Sequence, residues 1–235
     1  MKISFFETDN FRRMSQSIDA LQNRDEEVPG LALVHGFAGL GKTKAVARYA
    51  VHRDCIYVRA NAAWTTLWML QDICSKLGVY PFSRTQRVFV QCIDEMQRQN
   101  RTIFIDEADY LIHDNKMLET IRDLHDWTGI PVVLVGMQEI VQKMGRHKQF
   151  YSRVSQIVEF KTLNANEIRQ IAQQWAVLNL SDGAAEGFQK ITGGDFRLVT
   201  VGLGHLERMA KANNSAIISA KMVEMAGKMV ARRAA

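Results

Sequence analysis

The chain has 235 residues, of which 47% are hydrophobic and 23% charged, with three prolines. That is the profile of an ordinary globular protein with ample apolar residues for a core, long enough for one domain of usual size and a smaller second one. No apolar run is long enough to span a bilayer, and the opening MKISFFETDNF sets two acids close to its short apolar run. A membrane span and a secretory signal are therefore not expected. Cys55, Cys74 and Cys92 are odd in number and widely spaced. They show neither metal-ligand spacing nor a disulfide framework, so a reducing cytosol is the simplest home. The net charge of +5 and pI near 9.2 permit polyanion binding without requiring it.

In chain order, Phe11, Met14, Ile18 and Leu21 repeat at helical spacing. Residues 31–35 (LALVH) form a short apolar run that ends at a glycine and read as a buried strand. Helix follows over 43–51, strand over 55–58 (CIYV), and helix over 62–77 and 85–99. Residues 102–105 (TIFI) read as strand, 116–126 as helix, 131–135 (PVVLV) as strand, 138–144 as helix and 157–160 (IVEF) as strand. Continuous apolar strands separated by helices predict an α/β fold with a parallel sheet covered on both faces. After Lys161 the character changes. Residues 166–177, 184–191, 197–212 and 216–230 read as helices, and no strand pattern is visible. The expected organisation is a nucleotide-binding sheet domain over 1–162 and a small helical domain over 163–235.

The first strand runs into Gly36-Phe37-Ala38-Gly39-Leu40-Gly41-Lys42-Thr43, which fits G-x-x-x-x-G-K-[ST]. The glycines let the backbone turn its N–H groups toward phosphates, and the following helix adds free donors and its dipole. Lys42 is expected to reach the β- and γ-phosphates, and Thr43 to hold Mg²⁺ through its hydroxyl. Lys44, next in the helix, completes the expected ATP-binding set.

The strand over 102–105 ends at Asp106 and Glu107. In a doubly wound sheet, ligands bind at that edge. A carboxylate there suits Mg²⁺, and Asp106 is the expected holder. Glu107 would polarise the attacking water as general base. Asp109 reads as a turn or cap residue. Residues 106–109 also spell the helicase box Asp-Glu-Ala-Asp, but those enzymes need a second sheet domain, and the rest of this chain is helical.

Taken together, these motifs resemble an AAA+ ATPase: the phosphate loop, the apolar strand ending Asp-Glu, a later strand ending in glycine (132–136), an arginine before the last strand and a helical lid. Four further assignments follow from that resemblance. Arg153 matches the arginine finger that acts in trans on a neighbouring subunit's nucleotide, with Arg146 as the competing finger. Gly193-Gly194-Asp195-Phe196-Arg197 resembles the lid's second sensor motif, with Asp195 as helix N-cap and Arg197 at the γ-phosphate. Gln138 would serve as first sensor, although Met137 stands where asparagine or threonine is often found.

Within that family the chain looks most like the transposition ATPases, the phage Mu B protein and its relatives in Tn7-like elements. It shares their style of loop (GFAGLGKT), the Asp-Glu-Ala-Asp strand end and the VVLVG strand. The resemblance implies ATP and Mg²⁺ as cofactors, and head-to-tail assembly on duplex DNA as a ring or helical filament. It also implies activation of a transposase and a bacterial or phage-infected cytoplasm. With only 30 residues ahead of the first strand, DNA binding is expected from the ATPase core and without sequence preference. Phosphate contacts would come from Lys76, Arg84 and Arg87, from Arg146 and Lys148, and from the basic stretch 228–233. Trp64 and Trp68, four apart, are expected in core or subunit packing. Two other readings stay open: a helicase loader or secretion-type ATPase acting on a protein, and a nucleotide-gated signalling switch.

Overall fold

The computed structural model describes residues 4–214 and 217–234. Elements are numbered in chain order. Five parallel strands form one sheet: β1 (Leu31–His35), β2 (Ile56–Arg59), β3 (Ile103–Asp106), β4 (Val132–Val135) and β5 (Val154–Glu159). Their order across the sheet is β2-β3-β4-β1-β5. The three central strands β3, β4 and β1 are buried at every position. This is why they read as unbroken apolar runs, since a strand covered on both faces has no solvent side to mark with polar residues. β5 sits at an edge and is mostly half-buried or exposed. It begins at Val154, three residues earlier than its apolar run suggests. The pairing steps from Leu31–Val154 to Ala32–Gln156, so Ser155 bulges out of register. Polar residues at a bulged edge hide a strand from a periodicity reading.

By internal packing the chain divides into two compact units. The larger comprises Phe11–Phe37 and Lys42–Phe160. It holds the sheet, most of α1 (Asp9–Gln22), α2 (Lys42–His52), α3 (Thr66–Lys76), α4 (Thr85–Gln99), α5 (Asn115–Thr128), α6 (Ile140–Met144) and α7 (Lys148–Tyr151). α3 starts at Thr66, four residues later than its apolar spacing suggests. The Thr65 hydroxyl caps it by accepting the Trp68 N–H at 3.2 Å. Trp64 therefore precedes the helix and is buried, whereas Trp68 is partly exposed, and both indole N–H groups donate to Asp72. α3 and α4 bring Cys74 and Cys92 together in the core, sulfur to sulfur at 2.8 Å. The contact with Cys74, reinforced by burial, pushes the Cys92 thiol far up and keeps it protonated.

One buried imidazole ties together the entries of two central strands. His125, near the end of α5, accepts the Gly30 N–H on Nε2 at 3.0 Å, which assigns the proton to Nδ1. That Nδ1–H donates to the Ile130 carbonyl at 2.9 Å. Gly30 leads into β1 and Ile130 into β4. Burial is the main cause holding the His125 pKa below the ordinary value, so the ring is neutral.

The second unit comprises Lys161–Ala235, Ala38–Gly41 and the described part of Met1–Asn10. It contains α8 (Ala165–Ala176), β6 (Asn179–Leu180), α9 (Asp182–Thr192), α10 (Phe196–Ala212), β7 (Ile217–Ile218) and α11 (Ala220–Ala234). Its core includes Ile168, Ile171, Trp175, Phe188, Leu203 and Leu206. Asn164 and Glu167 form a reciprocal capping box at the start of α8. The expectation of a strand-free helical region needs correcting, because β6 and β7 pair in parallel over two residues. Each buries one apolar side chain, Leu180 or Ile218, too short a pattern to show a period of two. The expected helix start at Ala216 lies outside the described residues, as do the side chains of Lys228, Arg232 and Arg233.

Candidate nucleotide site

β1 ends at His35 and α2 begins at Lys42. The loop between them turns through Gly36, Gly39 and Gly41, all at positive φ, which a side chain would oppose. Lys42 and Thr43 open α2, so the unbonded N–H groups of its first turn lie beside them. Lys42 Nζ donates to the carbonyls of Gly36 and Phe37 at 2.6 and 2.8 Å. Burial lowers the Lys42 pKa, opposed by the carboxylates of Asp106, Asp109 and Glu107. That opposition puts Lys42 within electrostatic reach of the carboxylates at the end of β3. Thr43 and Lys44 are solvent-exposed.

Asp106 closes β3 and is buried. Its Oδ1 accepts the Glu107 N–H at 2.9 Å, and its Oδ2 accepts the Tyr57 hydroxyl at 2.7 Å. Burial, then Asp106 itself, pushes the Tyr57 pKa up, so the phenol stays a proton donor. Glu107 adopts a left-handed backbone, φ 56°, ψ 37°, between β3 and a short 3₁₀ turn over Ala108–Leu111. A non-glycine residue populates that region sparsely. The Glu107 carboxylate pairs with Arg59 at 2.9 Å. Tyr57 and Arg59 alternate on β2, so one edge strand supplies a partner to each carboxylate.

Sequence reasoning missed both β2 residues. Their polarity within a four-residue strand was a visible signal, but the register that sets Arg59 opposite Asp106 was not. It also undervalued Asp109. Rather than capping a turn, Asp109 Oδ2 accepts the Met137 N–H at 2.7 Å and so fastens the loop after β4 to the end of β3. On that loop Gln138 donates from Nε2 to Glu159 Oε1 at 3.0 Å. Gln138 Oε1 and His35 Nδ1, the latter at the end of β1, are buried polar atoms with no hydrogen-bond partner among the described residues. Burial lowers the His35 pKa, with Glu159 opposing.

Arg153 lies immediately before β5, and its guanidinium grips Asp126 through Nε at 2.9 Å and a terminal nitrogen at 3.3 Å. Arg146 is exposed between α6 and α7, and Lys148 is exposed at the start of α7. Lys76, Arg84 and Arg87 are exposed around the α3–α4 connection.

In the second unit, Asp195 caps α10 as expected, accepting the Leu198 N–H at 2.9 Å. The Arg197 N–H donates to the Gly39 carbonyl at 3.1 Å. A Cβ on Gly39 would displace the Asp195 carboxylate from its place, a cost added to that of a φ of 84°. The Arg197 side chain is exposed.

The donor set fits magnesium. Asp106 and Thr43 offer hard oxygens, and each Asp106 oxygen uses one lone pair on the protein. Among the described residues no group of three or more His, Cys, Asp or Glu could cage a metal. Mg²⁺ needs no such cage, being held through one or two protein oxygens plus substrate phosphates.

The chain resembles known proteins. A family profile described as "AAA domain" matches residues 25–144, more than half of the chain. The Mu-like prophage FluMu DNA transposition protein B of Haemophilus influenzae is 27% identical over 209 residues, covering 84% of this chain and 70% of that protein. A potential ATP-binding protein of Staphylococcus aureus is 31% identical over 53% of this chain and 48% of its own length. Among solved structures, the Aeropyrum pernix ORC2 protein in its ADPNP–ADP complexes superposes with a TM-score of 0.71 at 15% identity, covering 97% of this chain and 68% of that one. The Thermotoga maritima RuvB branch migration motor gives 0.61 at 18%, covering 94% and 69%. No helix among the described residues is long and apolar enough to cross a membrane. Through the sheet order, the glycine-rich loop leading into α2, and the profile match, the chain belongs to the AAA domain family of P-loop proteins.

Proposed function

We propose that this chain is an ATPase that binds duplex DNA and regulates a transposase. The observation that carries the ATPase reading is the glycine loop turning at positive φ into Lys42 and Thr43 at the start of α2, with Asp106 and Glu107 at the end of β3, two strands away in the same sheet. Similarity to a DNA transposition protein B over most of the chain supports the transposition reading.

In this reading the amides of residues 36–44 and Lys42 cradle the phosphates of ATP. Thr43 and Asp106 would hold Mg²⁺, which when bound would supply positive charge beside the phosphates. Glu107 takes the proton of the attacking water once its carboxylate leaves Arg59. Gln138 orients the γ-phosphate side, held by Glu159. Arg153 exchanges Asp126 for a neighbouring subunit's nucleotide. Such an arrangement makes assembly head to tail and ATP-dependent. Lys76, Arg84, Arg87, Arg146 and Lys148 meet DNA phosphates in the assembly.

DNA retention on a filter with ATP, as salt is raised, tests the whole scheme. Retention should need ATP, fall steeply with salt and be lost in Lys42→Ala. Retention by Lys42→Ala with undiminished ATP dependence would remove the phosphate-loop assignment. ATP turnover without DNA retention would favour a protein partner instead.

A further inference from the structure

Asp106 is a buried carboxylate, and a buried carboxylate needs donors. One donor is local: the N–H of the next residue. The other comes from 49 residues earlier in the chain, the Tyr57 hydroxyl. In the register of β2 on β3, Tyr57 lies opposite Phe104, and Arg59 lies opposite Asp106. The Tyr57 ring therefore leans along the strand direction, past its own partner, to reach Asp106. Its aromatic body would pack equally well as phenylalanine, so only the hydroxyl depends on Asp106.

We propose that Tyr57 is a positioning residue for magnesium: its hydroxyl, with the Glu107 amide, fixes the plane of the Asp106 carboxylate. A carboxylate has about four lone-pair sites. Two are used by these donors, and holding both oxygens removes rotation about the carboxyl axis. The remaining lone pairs then face a hydrated cation in one orientation rather than several. Partners of this kind tune metal affinity as strongly as some direct ligands. The role rests on the reading of Asp106 as a magnesium-side carboxylate.

The test is an equilibrium one on the full chain. Binding of a fluorescent ATP analogue is titrated with Mg²⁺ for wild type, Tyr57→Phe and Asp106→Asn, with a parallel titration in EDTA. Tyr57→Phe should raise the half-saturating Mg²⁺ concentration about tenfold. Its nucleotide affinity in EDTA should match wild type. Asp106→Asn should raise the Mg²⁺ requirement at least as far. A shift in Asp106→Asn with none in Tyr57→Phe overturns the positioning role and leaves Asp106 in place. No shift in either removes the magnesium reading of Asp106, and the proposal with it. Equal loss of affinity with and without Mg²⁺ in Tyr57→Phe, or a lower thermal midpoint as its sole effect, makes the hydrogen bond merely structural and also overturns it.

Discussion

The ends of β1 and β3 do comparable work by different means. At β1 the groups offered to a ligand are local. Backbone amides, three glycines at positive φ and Lys42 all fall within eight residues, and Lys42 bonds to carbonyls of its own loop. At β3 the groups are side chains held from a distance: Asp106 by Tyr57 and Glu107 by Arg59, each almost fifty residues away. A phosphate cradle can be built from one segment because amides come with the chain. A pair of carboxylates at a strand end is not oriented by local amides alone: each takes a side-chain donor from the neighbouring strand β2, Tyr57 for Asp106 and Arg59 for Glu107.

Breaking the two ends separately should show this difference. Lys42→Ala removes the cation of the local half and should cut ATP turnover by at least about a hundredfold, with nucleotide affinity falling too. Glu107→Gln should keep the fold and the nucleotide while removing the proposed base. Steady-state turnover should drop about a hundredfold or more while affinity for the fluorescent analogue holds. A Glu107→Gln variant that turns over normally would move the base elsewhere.

The opposite edge of the sheet supplies a control. His125→Ala strips partners from the buried Gly30 N–H and Ile130 carbonyl, and should cost about 2 kcal/mol or more in denaturant unfolding. Burial holds both His125 and His35 below the ordinary histidine pKa. As pH falls the unfolded chain takes up protons before the folded one does. Their contribution is therefore complete above about pH 6.5 and is lost as pH drops below it. Thermal midpoints between pH 7.5 and 5.5, on the order of that window, should fall in wild type and fall less in His125→Ala. The smallest effect concerns the exposed ion pair. Arg59→Ala frees Glu107 and should raise basal turnover, by at most about fivefold, since such pairs are worth about 1 kcal/mol or less. A decrease instead would assign Arg59 a supporting role in the reaction.

The same contrast explains what could be read from the sequence. The central strands, the glycine loop and the Asp195 cap are visible because each is written in consecutive residues. α/β class followed from β1, β3 and β4, whose burial on both faces leaves unbroken apolar runs. Tyr57, Arg59 and the Asp109–Met137 contact were missed because register and sheet order decide them. β5 was shortened by its bulge, and the β6–β7 pair was lost because two residues carry no period. Cys74 and Cys92 read as unrelated until α3 and α4 packed together.

β4 has one more consequence. It stands between β1 and β3, so the lysine loop and the carboxylates are set two interstrand steps apart, about 10 Å at roughly 4.8 Å each. Direct contact across such a gap would collapse Lys42 onto Asp106 and leave no room for a substrate. An extra strand acts as a fixed spacer gauge. It keeps Lys42 and the β3 carboxylates close enough to feel one another yet out of direct contact, the separation the proposed phosphate and hydrated ion would need. Because the gauge is made of ladder hydrogen bonds, a change in side chains alone cannot reset it.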